Sequence, residues 1–269
     1  MYKLSKMFLC ISAVLCLSAC SKDDNGTTEV GQGTVSFNCE AQNGLQQFVT
    51  KAVSDYTIPA SLVPDVDLFK LNITGTYFDK EQNQNVSYDS VFATLMDYHQ
   101  DVPYLVSGNY TATFTYGDVT VENDTNACFS GSVDFTIVAR KSISKDVKVK
   151  LSNSAVRLKT TPEFDNYFKD ATFQVTTANG STFDFAPNDG KVYFVEAGST
   201  LTMGGTAKKK HNDAAEVSFA AKSIGTTKQT TISTILIDSE ETGGMELDIT
   251  LDDITTTVPL EDQELNPNA

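Results

Sequence analysis

From Gly33 to about Leu251 apolar and polar residues take turns, in short runs broken by glycine, asparagine and aspartate. A chain patterned with period two can keep one face dry and the other wet only as β-strand. Frequent turn residues make those strands short and numerous. Residues 34–39 place Val35, Phe37 and Cys39 on one face, and residues 67–75 do the same with Phe69, Leu71 and Ile73. In residues 109–117 the row is Tyr110, Ala112, Phe114 and Tyr116, and residues 131–137 continue it with Val133, Phe135 and Ile137. A second set opens near Asp146 with Val147, Val149 and Leu151, and ends on the alternating run 245–252.

Helical signals are few and short. Thr161 followed by Pro162 reads as a cap and a first helical position, which predicts one or two turns over residues 163–168. Phe92, Leu95, Met96 and His99 at spacing three to four predict another short helix. Asn179-Gly180, between two alternating runs, predicts a hairpin closed by a type I′ turn. The basic, polar stretch 140–145 reads as a connector. The expectation is an all-β protein of two tandem antiparallel β-sandwiches, immunoglobulin-like or transthyretin-like, over residues 33–143 and 146–260, with a polar tail at 261–269. With no tryptophan in the chain, phenylalanine and tyrosine must supply the aromatic core.

The start of the chain reads as an address. Lys3 and Lys6 precede an apolar run over residues 7–17, too short to cross a bilayer, and small residues lead to Cys20. Leu17-Ser18-Ala19-Cys20 resembles the lipobox of bacterial lipoproteins, which implies a signal peptide over residues 1–19 and a membrane partner reached through lipid on Cys20. Residues 20–32 form a polar, acidic tether. Its opening, Ser21-Lys22-Asp23-Asp24, is similar to the signal that exports lipoproteins of the Bacteroidota, implying an outer-membrane protein facing the exterior.

Charge narrows the partners further. Removing residues 1–19 takes away Lys3 and Lys6 and leaves 18 basic against 35 acidic residues, a net charge of −17. Such a chain repels phosphate backbones, so nucleic acid is excluded as a partner. Beyond the leader and Cys20, the cysteines are Cys39 and Cys128, for which export permits a disulfide and burial permits two free thiols.

Chemistry is sparse. His99 and His211 sit in polar contexts with no nucleophile elbow, and their spacing matches no zinc site. Glu246, Asp248 and Asp252, and likewise Asp65 and Asp67, read as solvated acidic faces rather than a calcium loop. No catalytic residue, metal ligand or cofactor is assigned. Tyr77, Tyr88, Tyr98 and Tyr104 are the aromatic residues that could offer a sugar a stacking platform.

A set of ordered motifs then carries a family resemblance. Gly33-x-Val35-x-Phe37, Thr50-Lys51-Ala52, Leu105-x-x-Gly108-x-Tyr110, Phe129-x-Gly131-x-x-x-Phe135, Val149-x-Leu151-x-Asn153-x-x-Val156 and Tyr193-Phe194 resemble a Bacteroidales surface lipoprotein family of unknown function, fimbrillin-like in style, over residues 31–258. The resemblance implies a non-enzymatic binding, adhesive or fimbria-associated protein, with a surface glycan or protein as ligand; a hydrolase is the alternative from another class. It also implies cleavage after Lys51, followed by strand exchange in fimbrial assembly; separately, Asp89-Ser90-Val91 is similar to the Asp-Ser/Thr-apolar pattern of bacterial O-glycosylation, with Ser90 as the acceptor.

Overall fold

The computed structural model describes residues 31–45, 56–210, 216–239, 246–251 and 254–262. The signal peptide, Cys20, the tether up to residue 30, Lys51 and His211 lie outside them. The first half contains β1 (Gln32–Ala41), β2 (Gly44–Leu45), β3 (Tyr56–Thr57), β4 (Lys70–Asp79) and β5 (Gln84–Phe92). It continues with helix α1 (Leu95–Gln100), β6 (Leu105–Val106), β7 (Gly108–Tyr116), β8 (Phe129–Ile137) and β9 (Ser142–Leu151). The second half holds β10 (Ser154–Thr160), helix α2 (Pro162–Tyr167), β11 (Phe168–Thr176), β12 (Thr182–Phe185), β13 (Val192–Val195) and β14 (Thr200–Lys209). It ends with β15 (Glu216–Thr226), β16 (Ile232–Ser239), β17 (Glu246–Leu251), β18 (Ile254–Pro259) and β19 (Glu261–Asp262).

The protein is all-β, and the alternation reports its layers. In the first half a single sheet of order β5-β4-β7-β8-β9-β1-β6 folds over on itself. The fold occurs where β8 and β9 share only two residue pairs, Phe129 with Leu151 and Ser130 with Lys150. Beyond that corner β9 turns away and pairs with β1. The two layers meet through Phe37 of β1, whose ring lies 5.3 Å from Phe114 and 5.7 Å from Phe135. Fully burying such a side chain is worth about 1.5–3 kcal/mol, and Val35, Val147 and Val149 pack into the same core, so these contacts together hold the fold-over shut. Helix α1 is capped by Thr94 and buries Leu95 and Tyr98, whose hydroxyl donates to the Val35 carbonyl at 2.7 Å. Of the expected stripe Phe92 and Leu95 face the core, whereas Met96 and His99 face outward and Tyr98 takes the inward place, because it offers the core both a ring and a satisfied hydroxyl.

The second half is a sandwich of two five-stranded sheets, β13-β10-β16-β17-β18 and β12-β11-β14-β15-β19. Its core is built around Phe173, Phe185, Leu201, Met203, Ile235 and Ile249, all buried.

Several expectations are corrected. The sandwiches are not wholly antiparallel: β1 runs parallel to β9 and β10 parallel to β16. The boundary at 143–146 also fails, because Ser142–Leu151 is a strand of the first sheet and the chain crosses at Ser152 and Asn153. Arg140, at φ 59°, belongs to the turn that feeds β9; Lys148 and Lys150 occupy the wet face of that strand, whereas half-buried Lys145 stands in the row of Ile143 and Val147. The polar tail begins later than expected, since Glu261 and Asp262 pair with β15. At Asn179-Gly180 only Gly180 takes positive φ, and a five-residue loop replaces the two-residue turn. The Asn179 amide explains this, since it donates to Glu196 at 2.7 Å and to Glu122 at 3.4 Å.

Those last contacts belong to a junction that locks the two sandwiches together. Asn123, in the loop between β7 and β8, exchanges two backbone hydrogen bonds with Phe194 of β13, at 2.7 and 3.2 Å. Its neighbour Glu122 accepts from the Thr177 hydroxyl at 2.6 Å and from the Glu196 amide at 2.9 Å. Beneath them Ala155, Phe194 and Ile232 of the second half pack into the first core. Buried Asn153 accepts from the Cys128 amide and donates to the Asn126 carbonyl, so the crossing point is itself tied down.

Candidate functional site

The corner that joins the two layers of the first sandwich also opens a trough. From Gly131 onward β8 keeps its ladder to β7 but has none to β9, whose ladder runs to β1 instead. Between them, and across the outer face of β4, β7 and β8, lies an open cavity of about 960 Å³. Strand register sets its floor in two rows, Thr74 beside Thr111 beside Asp134, and Thr76 beside Asn109 beside Thr136. Ile143, Ser144 and Lys145 of β9 form the wall.

The floor is prearranged by its own hydrogen bonds. Thr111 donates to the Asp134 carboxylate at 2.6 Å, and Thr136 donates to the Asn109 side-chain oxygen at 2.8 Å. Each outward side chain still has unused lone pairs or protons. Beneath the floor Tyr110 and Phe135 stack at 5.5 Å, both buried. The Tyr110 hydroxyl donates to the Val106 carbonyl at 2.7 Å, and burial pushes its pKa up to about 12. It is a structural ring. Gly75 is required above it, because a Cβ there would sit 2.4 Å from the Tyr110 ring. A second cavity of about 370 Å³, sharing Asn109 and Thr136, extends the trough past Ala139 to Lys141.

The chemistry on offer is hydrogen bonding by hydroxyls and amides, with one carboxylate, Asp134, and one ammonium, Lys145. Glycoside hydrolysis works with two carboxylates flanking a bond. The trough presents a polar surface, and its described lining holds the single carboxylate Asp134.

The residues singled out by sequence are not gathered here. Cys39 and Cys128 are free thiols, so the Cys39–Cys128 disulfide is not formed. Cys39 stands opposite Val147, whereas the Cys128 carbonyl accepts from Ser152, five residues further along. At about 3.3 Å of rise per residue that is roughly 16 Å, while a disulfide needs Cα atoms within about 7 Å. Burial raises both thiols to a pKa of about 11. Ser90 lies half-buried in mid-strand on β5, on the side of Tyr88 and Phe92. Of the tyrosines, Tyr98 is buried, Tyr88 packs edge-to-face on Tyr110 at 5.6 Å, and Tyr77 is half-buried. Tyr104, 71% exposed, is outside the trough lining. His99 lies 3.9 Å from Asp67 on an exposed surface, and Asp65 caps its own turn by accepting from the Asp67 amide. Asp248 accepts from the Thr257 hydroxyl. No cluster of three metal-ligating side chains occurs among the described residues.

The model of a family described as a domain of unknown function (DUF4493) matches residues 31–266. No curated protein matches the chain. Among solved structures, the chain is similar to a proposed polysaccharide-binding protein from Bacteroides thetaiotaomicron, at 9% identity and TM-score 0.37, covering 89% of this chain and 100% of that one. It is also similar to a proposed cell adhesion protein from Bacteroides eggerthii, at 8% identity and TM-score 0.36, covering 88% and 98%. The fimbrial anchor protein from Porphyromonas gingivalis matches at 11% identity and TM-score 0.34, covering 84% and 99%.

Proposed function

The chain belongs to the DUF4493 family, and we propose that it is a lipid-anchored, surface-displayed adhesive protein that binds a polyhydroxylated surface polymer. The trough carries this reading. Its two rows of hydroxyl, amide and carboxylate groups are spaced by the strands beneath them, about 4.8 Å apart. A glycan presents hydroxyls at comparable intervals, and hydrogen-bonding sites discriminate strongly against ligands that leave their polar groups unpaired. Lipid on Cys20 supplies the anchor and residues 20–30 the reach, and the junction at Glu122 and Asn123 makes the second sandwich a fixed support.

The test uses the mature chain on immobilised surface polysaccharides, with Asp134→Ala and Thr111→Val as site variants. Saturable binding that both variants weaken at least tenfold supports the reading. Binding that survives both removes the trough from it. Metabolic labelling with a fatty acid, lost in Cys20→Ala, tests the anchor separately.

A second reading has one observation in its favour. Cleavage after Lys51 would detach β1, leaving β9 without its eight-residue parallel partner and Phe37 missing from the core. That is a vacancy an incoming strand could fill. N-terminal sequencing of the surface form decides: a lipidated Cys20 at the first position removes the assembly reading.

A further inference from the structure

The sheet edges of this molecule differ in how they are guarded. β6 and β19 are two residues long, and β12 and β13 are four. β18 ends in Pro259, which has no N–H to offer. β5 is different. It is nine residues long, and all nine pair with β4 without a bulge. On its other side no strand pairs with it among the described residues. It carries neither proline nor lysine, the usual devices that blunt an edge. Its inward side chains Val86, Tyr88 and Phe92 are only half-buried, and outward Val91 is 55% exposed. An unguarded row of backbone donors and acceptors beside partly covered apolar groups is a template for one more strand.

The sequence of β5 says which strand fits. Laid antiparallel on itself about Tyr88, it sets Ser87 of one copy opposite Asp89 of the other, Val86 opposite Ser90 and Asn85 opposite Val91. Asp89 is the only charge in the strand, and this register meets it with a hydroxyl rather than another carboxylate. Cross-strand hydroxyl-to-carboxylate pairs are already a device of this fold, in Thr111 with Asp134 and Thr257 with Asp248.

We infer that β5 pairs antiparallel with β5 of a second copy, centred on Tyr88, to make a two-fold dimer with one sheet running through both first sandwiches. The two-fold axis stands perpendicular to that sheet, so both troughs open on the same side. If the trough binds polymer as proposed above, the dimer engages one chain at two sites and gains avidity without a new contact. The pairing itself does not depend on that reading.

The experiment is sedimentation velocity on the chain from residue 20, carrying Cys20→Ala so that no lipid is attached, over about 1 to 100 μM, the range of transient complexes. A doubling of mass with concentration is expected, with slowed amide exchange in residues 84–92. Two proline variants, Ser87→Pro and Tyr88→Pro, complete it. Neighbouring N–H groups point to opposite edges of a strand, so one of the two leaves the β4 ladder whole. That variant is expected to melt near the wild-type temperature and to stay monomeric. A chain that is monomeric throughout overturns the inference, as does a dimer whose β5 amides exchange as in the monomer, or a folded proline variant that still dimerises.

Discussion

The two sandwiches bury similar cores by different routes. In the first, one continuous sheet bends over at the two residue pairs that join β8 to β9. In the second, two separate sheets face each other. A bent sheet must part somewhere, and the parting at β8 and β9 leaves the trough of about 960 Å³. Two separate sheets owe no such gap, and the cavity beside Phe219, Ala221 and Val258 measures about 160 Å³. The trough and the closed second sandwich are therefore products of connectivity, not of composition. Gly131 marks the bend, since a Cβ there would lie 2.6 Å from the Lys148 carbonyl.

The contrast can be attacked first at the junction. Phe194 is fully buried and contributes to the first core from the second sandwich, so Phe194→Ala is expected to cost about 3–5 kcal/mol. Calorimetry is expected to show one transition for the native chain and two for the variant; a single transition at the native temperature would show that the sandwiches are not coupled there. Glu122→Gln removes the charge from hydrogen bonds to Thr177 and Glu196, with an expected loss of about 1.5–3 kcal/mol in urea unfolding. An unchanged midpoint would refute that role.

Alkali should separate the halves more gently. Cys39 and Cys128 have folded pKa values near 11 against an ordinary 9.0, and Tyr110 about 12 against 10.0, because burial disfavours the charged forms. Groups raised in this way stabilise the fold fully below their unfolded values, and that contribution is lost as pH rises from about 9 towards 12. All three belong to the first sandwich, which should melt first as pH climbs, followed by exchange of amides in β7 and β8. Earlier loss of β11 and β14 would contradict this. Smallest of all, Thr111→Val should lower stability by about 0.5–1.5 kcal/mol, since its hydrogen bond to Asp134 lies on a wet face. A larger loss would mean that the trough floor is structural.

Alternation made β1, β4, β7 and β8 legible, because each has one face on a core. It could not say which sheet β9 joins: Val147, Val149 and Leu151 would alternate identically in either sandwich. Long-range pairing made that choice, and with it moved the domain boundary to Asn153 and set Cys39 too far from Cys128. The trough was hidden for a related reason. Thr74, Thr111 and Asp134 look like any solvated positions until register sets them side by side. Helix α2 was readable from Thr161 and Pro162 because capping is local.

The parallel pairing of β1 with β9 has a mechanical consequence. A pull entering at Gln32 and leaving from the end of β9 at Leu151 drags the two strands in opposite directions along their length. Eight residue pairs, from Thr34 with Ser142 to Ala41 with Val149, then bear the load together instead of opening one by one. Since β9 hands the chain to β10, itself parallel to β16, the tension meets a second shear clamp directly after the first. Strands wired this way resist a pull where a hairpin would unzip.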